Sequence, residues 1–248
     1  MAIIDVVKFD GNADLFAWKF PSENLRTGSQ LVVKTSQYAF FVEDGLIYDE
    51  FPEGRYTLET RNLPLINKII NFPFGGNSPF QAEVWFINLA LKLDNKWGTH
   101  RPIQIMDPHY SLLFPLRAFG QFGMAVDNPR KFLQTIVGSK DVVTTRKILD
   151  NFKGLILSTV SSVIKNKIRN DKVSVFDINS FTSELSKICM DHLKAAFSDY
   201  GLNIEQFFII SINIPDTDPS VVKLKSIKTE VIKNKLLSPG SPDNNPNE

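Results

Sequence analysis

The chain has 248 residues, 43% hydrophobic and 22% charged, with a formal net charge of +1. This is a globular composition, long enough for one large domain or two small ones. The near-neutral charge excludes a global electrostatic case for nucleic acid or an acidic partner. A lone cysteine, Cys189, excludes an internal disulfide and any zinc cluster of several thiolates.

At the N-terminus, MAIIDVVKFDGN lacks the basic start of a signal peptide, and Asp5 breaks its apolar run. Met1 to Phe9 fits a short strand or a one-sided helix equally well. After Trp18, Phe20 and Pro21, a polar turn from Arg26 to Ser29 leads into strands at Leu31 to Val33, Tyr38 to Val42 and Leu46 to Phe51. Glu43-Asp44-Gly45 is hairpin chemistry, and Pro52-Glu53-Gly54 makes a second turn before Tyr56 to Leu58.

Arg61 to Phe80 differs in kind. Pro64 can open a short helix whose Leu65, Ile66, Ile69 and Ile70 share one side, and Phe72-Pro73-Phe74-Gly75-Gly76 cannot continue it. So apolar a connection either folds over a sheet edge or forms an exposed patch for lipid or a partner. Gln81 to Asp94 returns to strand character, Ile103 to Met106 is a short strand, and Asp107-Pro108 is a turn. Leu112 to Val126 reads as one or two strands broken by Pro115, Gly120 and Gly123, the glycines marking bulges or close backbone approach.

From Asn128 the period becomes helical. Asp127 or Asn128 is the N-cap with Pro129 at the first helical position, and Gly138 ends the helix. The next helix runs from Val142 to Arg169 with Ile148, Phe152, Ile156, Val160 and Ile164 inward. Asp177 caps another that stops at Tyr200-Gly201. Leu202 to Ile214 is a last strand, with Ile204, Phe208, Ile210, Ile212 and Ile214 alternating on one side. Pro215 ends it, and Asp218-Pro219 opens a final helix of alternating lysines and aliphatics. The tail SPGSPDNNPNE has too little apolar content to order itself. The fold class expected is α+β, with a boundary near Thr99 to Pro102.

Catalytic chemistry has little to build on. His109, in Asp107-Pro108-His109-Tyr110, can be drawn as a general base beside a carboxylate, but adjacent turn residues rarely face one target. No serine has a nucleophile-elbow context. Cys189 shares a helix side with Leu185 and Leu193 and reads as a buried thiol. Asp216 and Asp218 make a strand exit and a helix cap rather than a cation site. No helix or strand offers about 18 consecutive apolar residues, so membrane contact is expected to be peripheral.

Several short stretches, in order, carry a resemblance: the opening MAIIDVVKFDGN with Ala17-Trp18-Lys19-Phe20-Pro21, Gln30 to Val33 with Gln37, and Phe51-Pro52-Glu53-Gly54-Arg55-Tyr56-Thr57-Leu58. Phe74-Gly75-Gly76, Lys96-Trp97-Gly98-Thr99, Arg117-Ala118-Phe119-Gly120, Tyr200-Gly201 and Ser211 to Pro215 complete the set. Over about residues 1–230 the chain resembles the SPFH (band-7) superfamily of stomatins, prohibitins and flotillins, and within it the bacterial virion-core-protein-like branch. The resemblance implies a β-rich first SPFH subdomain at 1–100, a mixed α/β second subdomain with amphipathic helices at 101–215, a C-terminal helix at 216–237 and a disordered tail at 238–248. An N-terminal hydrophobic anchor and a C-terminal zinc ribbon, both seen in relatives, have no counterpart in this sequence.

The expectation is therefore a non-enzymatic scaffold, without cofactor, metal, nucleic acid or small-molecule substrate. It is placed in the cytoplasm, peripheral at the inner face of the plasma membrane, self-assembling, with a role in membrane organisation or envelope stress. Membrane or partner contact is assigned to Ile3, Ile4, Val7, Leu63, Leu65, Ile66, Ile69, Ile70, Phe72 and Phe74. Leu224, Ile227 and Val231 are assigned to an oligomerisation helix. The alternative is a soluble adaptor module that reaches membranes only through integral membrane proteins.

Overall fold

The computed structural model describes residues 6–26, 28–58, 79–138, 142–219, 221–224 and 226. Strand alternation explains its first layer. In β5 (Gln37–Glu43), Ala39 and Phe41 join one hydrophobic core while Phe40 and Val42 join another. β9 (Glu83–Asn88) divides the same way, Val84 and Phe86 against Trp85 and Ile87. A strand buried on both faces carries apolar residues at consecutive positions, and both strands do. They lie together in a five-stranded antiparallel sheet ordered β13-β2-β9-β5-β6, where β2 is Leu15–Lys19, β6 Leu46–Phe51 and β13 Val142–Thr144. The β5–β6 hairpin turns at Asp44 (φ 48°) and Gly45 (φ 76°). Two successive positive φ values match the right-handed twist of the strands they join.

On one side of this sheet lies the smaller core. It is closed by a three-stranded sheet in which β4 (Gln30–Val33) pairs in parallel with β1 (Val6–Lys8) and antiparallel with β7 (Gly54–Thr57). β1 settles the ambiguity of the N-terminal segment as a strand. A two-stranded ladder, β3 (Asn24–Arg26) with β8 (Pro79–Gln81), flanks it. Neither β2 nor β3 is apparent from the sequence pattern. β2 is short, and its first four residues are all apolar, with Phe16 and Ala17 buried at successive positions, so no alternation marks it.

The larger core is organised on β12 (Leu113–Val126), a single continuous strand despite Pro115, Gly120 and Gly123. Pro115 is tolerated because that end pairs with β11 (Ile103–Met106) alone, so its missing N–H faces no second strand. From residue 119 to 124 the strand runs between β10 (Lys92–Gly98) and β14 (Leu202–Asn213). Both glycines sit at register shifts, as expected for bulges. A Cβ on Gly120 would stand 1.9 Å from the Phe208 carbonyl oxygen.

Those bulges correct the reading of β14. Glu205 and Ile210 are the unpaired extra residues, so the inward set is Leu202, Ile204, Phe207, Ile209 and Ile212. Each bulge flips the phase of the strand, which turns Phe208 and Ile210 to the outside.

Helix α1 (Pro129–Phe132) begins at Asn128, whose side chain accepts from Lys131 N at 2.9 Å, and continues as a π-helical turn, Leu133–Val137, ending at Gly138 (φ 53°). The long helix starts later than its hydrophobic period suggests. Val142–Thr144 pairs with β2 as a strand, and Thr144 caps α2 (Thr145–Asn170) by accepting from Lys147 N. Asp177 makes no side-chain cap; a 3-10 turn, Ile178–Phe181, leads instead into α3 (Thr182–Ser198). Residues from both sides of position 100 share the larger core, Phe16 and Phe40 with Phe132, Phe152 and Phe197.

Candidate functional surfaces

Of the residues assigned to membrane or partner contact, the structure describes Val7 alone. It is 2% exposed inside the smaller core, so Val7 is a packing residue; its neighbour Val6 faces out. The reason is strand alternation in β1. Ile3, Ile4, Leu63, Leu65, Ile66, Ile69, Ile70, Phe72 and Phe74 lie outside the described residues, as do Ile227 and Val231. Leu224 is half-buried against the larger core, beside buried Val221.

The Asp107-Pro108-His109-Tyr110 turn is a latch. Asp107 is fully buried. One carboxylate oxygen accepts from His109 N (2.8 Å) and Tyr110 N (3.0 Å), the other from Ser174 Oγ (2.9 Å) and Val175 N (2.7 Å). Burial alone would raise its pKa, but these four donors outweigh that and hold it below the ordinary carboxylate value. The imidazole of His109 turns away, its Nε2 2.7 Å from the Lys172 carbonyl oxygen. The carboxylate thus ties the β11–β12 turn to the α2–α3 connection and orients no base. Cys189 is fully buried, and burial pushes its thiol up to about 12. Among the described residues, no three His, Cys, Asp or Glu side chains gather as metal ligands would.

Two surfaces were not visible in the sequence. The first is the outer face of the four-stranded sheet. Leu93, Phe119, Phe208 and Ile210, from three adjacent strands, are each about half exposed. Gln121 and Lys96 lie in register with Phe208, and Gly98 with Phe119. A flanking group, Met106 and Leu113 on β11 and β12, is also exposed and directly paired.

The second is a groove of about 560 Å³ between the end of β10 and α2. Buried Trp97, Phe122 and Ile156 form its floor, and Leu149 and Leu157 a half-buried wall. Arg146 and Lys153 stand around it with Asp150 and His100, while Lys96 borders it from the strand edge, on the opposite side of β10 from Trp97. The α2 members recur at helical spacing, so one side of the helix faces the groove. A neighbouring depression shares His100, Lys153 and Leu157 and extends past Gly154 to Lys165. No helix among the described residues is long and apolar enough to cross a membrane.

Antiparallel sheets buried against two amphipathic helices, with an apolar sheet face left open, define an α+β domain. Residues 17–229 match the SPFH domain-Band 7 family, and the chain belongs to it. That family is of the membrane-associated scaffold type and generally non-enzymatic. The chain is also similar to the uncharacterized protein YdjI of Bacillus subtilis (strain 168), 26% identical over 203 residues. That alignment covers 82% of this chain and spans 61% of the relative's length.

Proposed function

We propose that the chain is a non-enzymatic SPFH scaffold that docks peripherally on the cytoplasmic membrane face, self-assembles and gathers partner proteins, in membrane organisation or envelope stress. The observation that carries this reading is the outer sheet face, where Leu93, Phe119, Phe208 and Ile210 stand half exposed together. Exposed apolar side chains gathered on one open sheet face, here with Lys96, Gln121 and Ser211 between them, mark an interaction site. Fully burying one such side chain contributes about 1.5–3 kcal/mol, so covering the exposed half of four contributes roughly 3–6 kcal/mol. Association costs about 4–15 kcal/mol. The face alone therefore supports only weak pairing in solution, and a membrane that concentrates and aligns the copies tips the balance.

The apolar residues at 63–74, with Ile3 and Ile4, are the proposed lipid or partner contacts, and the segment bearing Leu224, Ile227 and Val231 the proposed assembly helix. Mass photometry in solution and on bilayers of phosphatidylglycerol and phosphatidylcholine tests the reading. Larger species on the bilayer, lost in Phe208→Asp with Ile210→Asp, support it. Co-sedimentation with vesicles should fall in Ile66→Asp with Ile70→Asp. A folded wild-type chain that stays monomeric and ignores vesicles overturns it in favour of an adaptor recruited by integral proteins.

A further inference from the structure

We propose that the groove between β10 and α2 binds a single-chain amphiphile with an anionic head, a carboxylate or phosphate monoester on a hydrocarbon body. The inference does not depend on the scaffold reading. Pockets that take small molecules occupy about 300–1,000 Å³ and combine an apolar lining with a few placed polar groups. At about 560 Å³, with Trp97, Phe122 and Ile156 beneath and cations above, this groove has both features.

Charge decides the sign of the ligand. Some cations elsewhere are matched, Lys167 with Asp171 and Glu184, Lys19 with Glu23 and Glu83, and Arg130 with Glu50, while others, such as Lys147 and Lys165, stand alone in solvent among the described residues. At the groove Arg146 and Lys153 meet one carboxylate, Asp150, and among the described residues neither has an ion pair. Lys153 Nζ instead lies 2.9 Å from Nε2 of His100, whose Nδ1 lies 3.3 Å from the Gly98 carbonyl oxygen. A carbonyl only accepts and an ammonium only donates, so in this arrangement the imidazole donates from Nδ1 to Gly98 and accepts at Nε2 from Lys153. It holds the ammonium in place without neutralising it, leaving two N–H groups for a ligand. An anion there meets charge-assisted donors.

The apolar floor decides the rest. A bare phosphate would leave Trp97, Phe122 and Ile156 facing water, whereas an alkyl body covers them. The neighbouring depression continues past Gly154, at which an added Cβ meets nothing within 4 Å. Among otherwise polar lining residues, Pro102, Ile103 and Leu157 offer the end of the amphiphile's chain an apolar path there.

Calorimetric titration of the intact chain with dodecanoate and dodecyl phosphate, below their micelle concentrations, tests this against dodecyl maltoside, inorganic phosphate and phosphatidylglycerol vesicles. One anionic amphiphile should bind per chain, at least tenfold tighter than the maltoside or the phosphate ion. Arg146→Ala with Lys153→Ala should weaken it at least tenfold. Gly154→Leu should weaken it comparably through bulk alone, on a helix it does not disturb, with the melting temperature undiminished. Equal affinity for the maltoside, or unchanged affinity in both variants, overturns the proposal. Binding confined to vesicles also overturns it, while leaving the scaffold reading standing.

Discussion

Replacing Asp107 with Asn changes one atom at the centre of the latch. Whichever way the amide turns, its NH2 faces two donors that previously met an oxygen. The less costly orientation points it at Ser174 and Val175, because the Ser174 hydroxyl can rotate to accept while the Val175 N–H cannot. One buried N–H is then left unpaired, at about 1–3 kcal/mol, and the two bonds from His109 and Tyr110 lose their charge assistance, at roughly 0.5–1 kcal/mol each. The sum is about 2–5 kcal/mol, or a fall in Tm of roughly 5–15 °C for a chain of this size. Because the folded carboxylate titrates below its unfolded counterpart, its stabilisation is full above the ordinary value of 3.8 and lost as pH falls through the depressed one. Differential scanning fluorimetry from pH 7 to pH 3 should therefore show the gap between wild type and Asp107→Asn narrowing in the acid limb. A Tm change under about 2 °C at pH 7, or a gap that widens in acid, refutes the assignment of Asp107 as the latch.

Two further outcomes follow from packing. Gly120→Ala places a methyl 1.9 Å from the Phe208 carbonyl oxygen and 2.8 Å from the Trp97 ring, so β14 or the ring must move. Overpacking of this kind costs about 1–3 kcal/mol or more, read as a lowered urea midpoint. Cys189, fully buried with its thiol pushed up to about 12, should resist Ellman's reagent at pH 8 in the native state. It should react at once in denaturant, and rapid native labelling would place the thiol outside the core.

How much of this was legible in the sequence depends on whether the signal was local. The β5–β6 hairpin, the Asn128–Pro129 start of α1 and the buried side of α2 follow from turn chemistry, capping and a 3.6-residue period, and all stand in the structure. The outward turn of Phe208 and Ile210 was not legible, because strict alternation holds only until a bulge. The bulges were signalled on the partner strand, at Gly120 and Gly123, and no inspection of 202–214 alone reveals which residue becomes the extra one. The groove was hidden for a similar reason. Lys96 and His100 lie about 50 residues from Arg146 and Lys153, and only the packing of α2 against the end of β10 brings them together. Val143 and Thr144 fit the helical period of α2 yet pair with β2, a tertiary contact overriding the pattern.

The manner of any self-assembly is constrained by where backbone groups are already satisfied. β14 pairs with β12 on one side, and its other edge would be a template for a strand from a second copy. Along that edge Ile209 N donates to Ser186 Oγ at 2.8 Å and Ile212 N to Asn179 Oδ1 at 2.9 Å. Side chains from α3 and the turn before it thus take up the donors that an incoming strand would need. Edge addition would have to break both bonds and displace the helix from its core contacts, Leu185, Cys189 and Leu193 among them. Side-chain contact on the outer face requires none of this, since Phe208 and Ile210 already point away from the helices. The same bulges that turn those two residues outward therefore favour association face to face over association edge to edge.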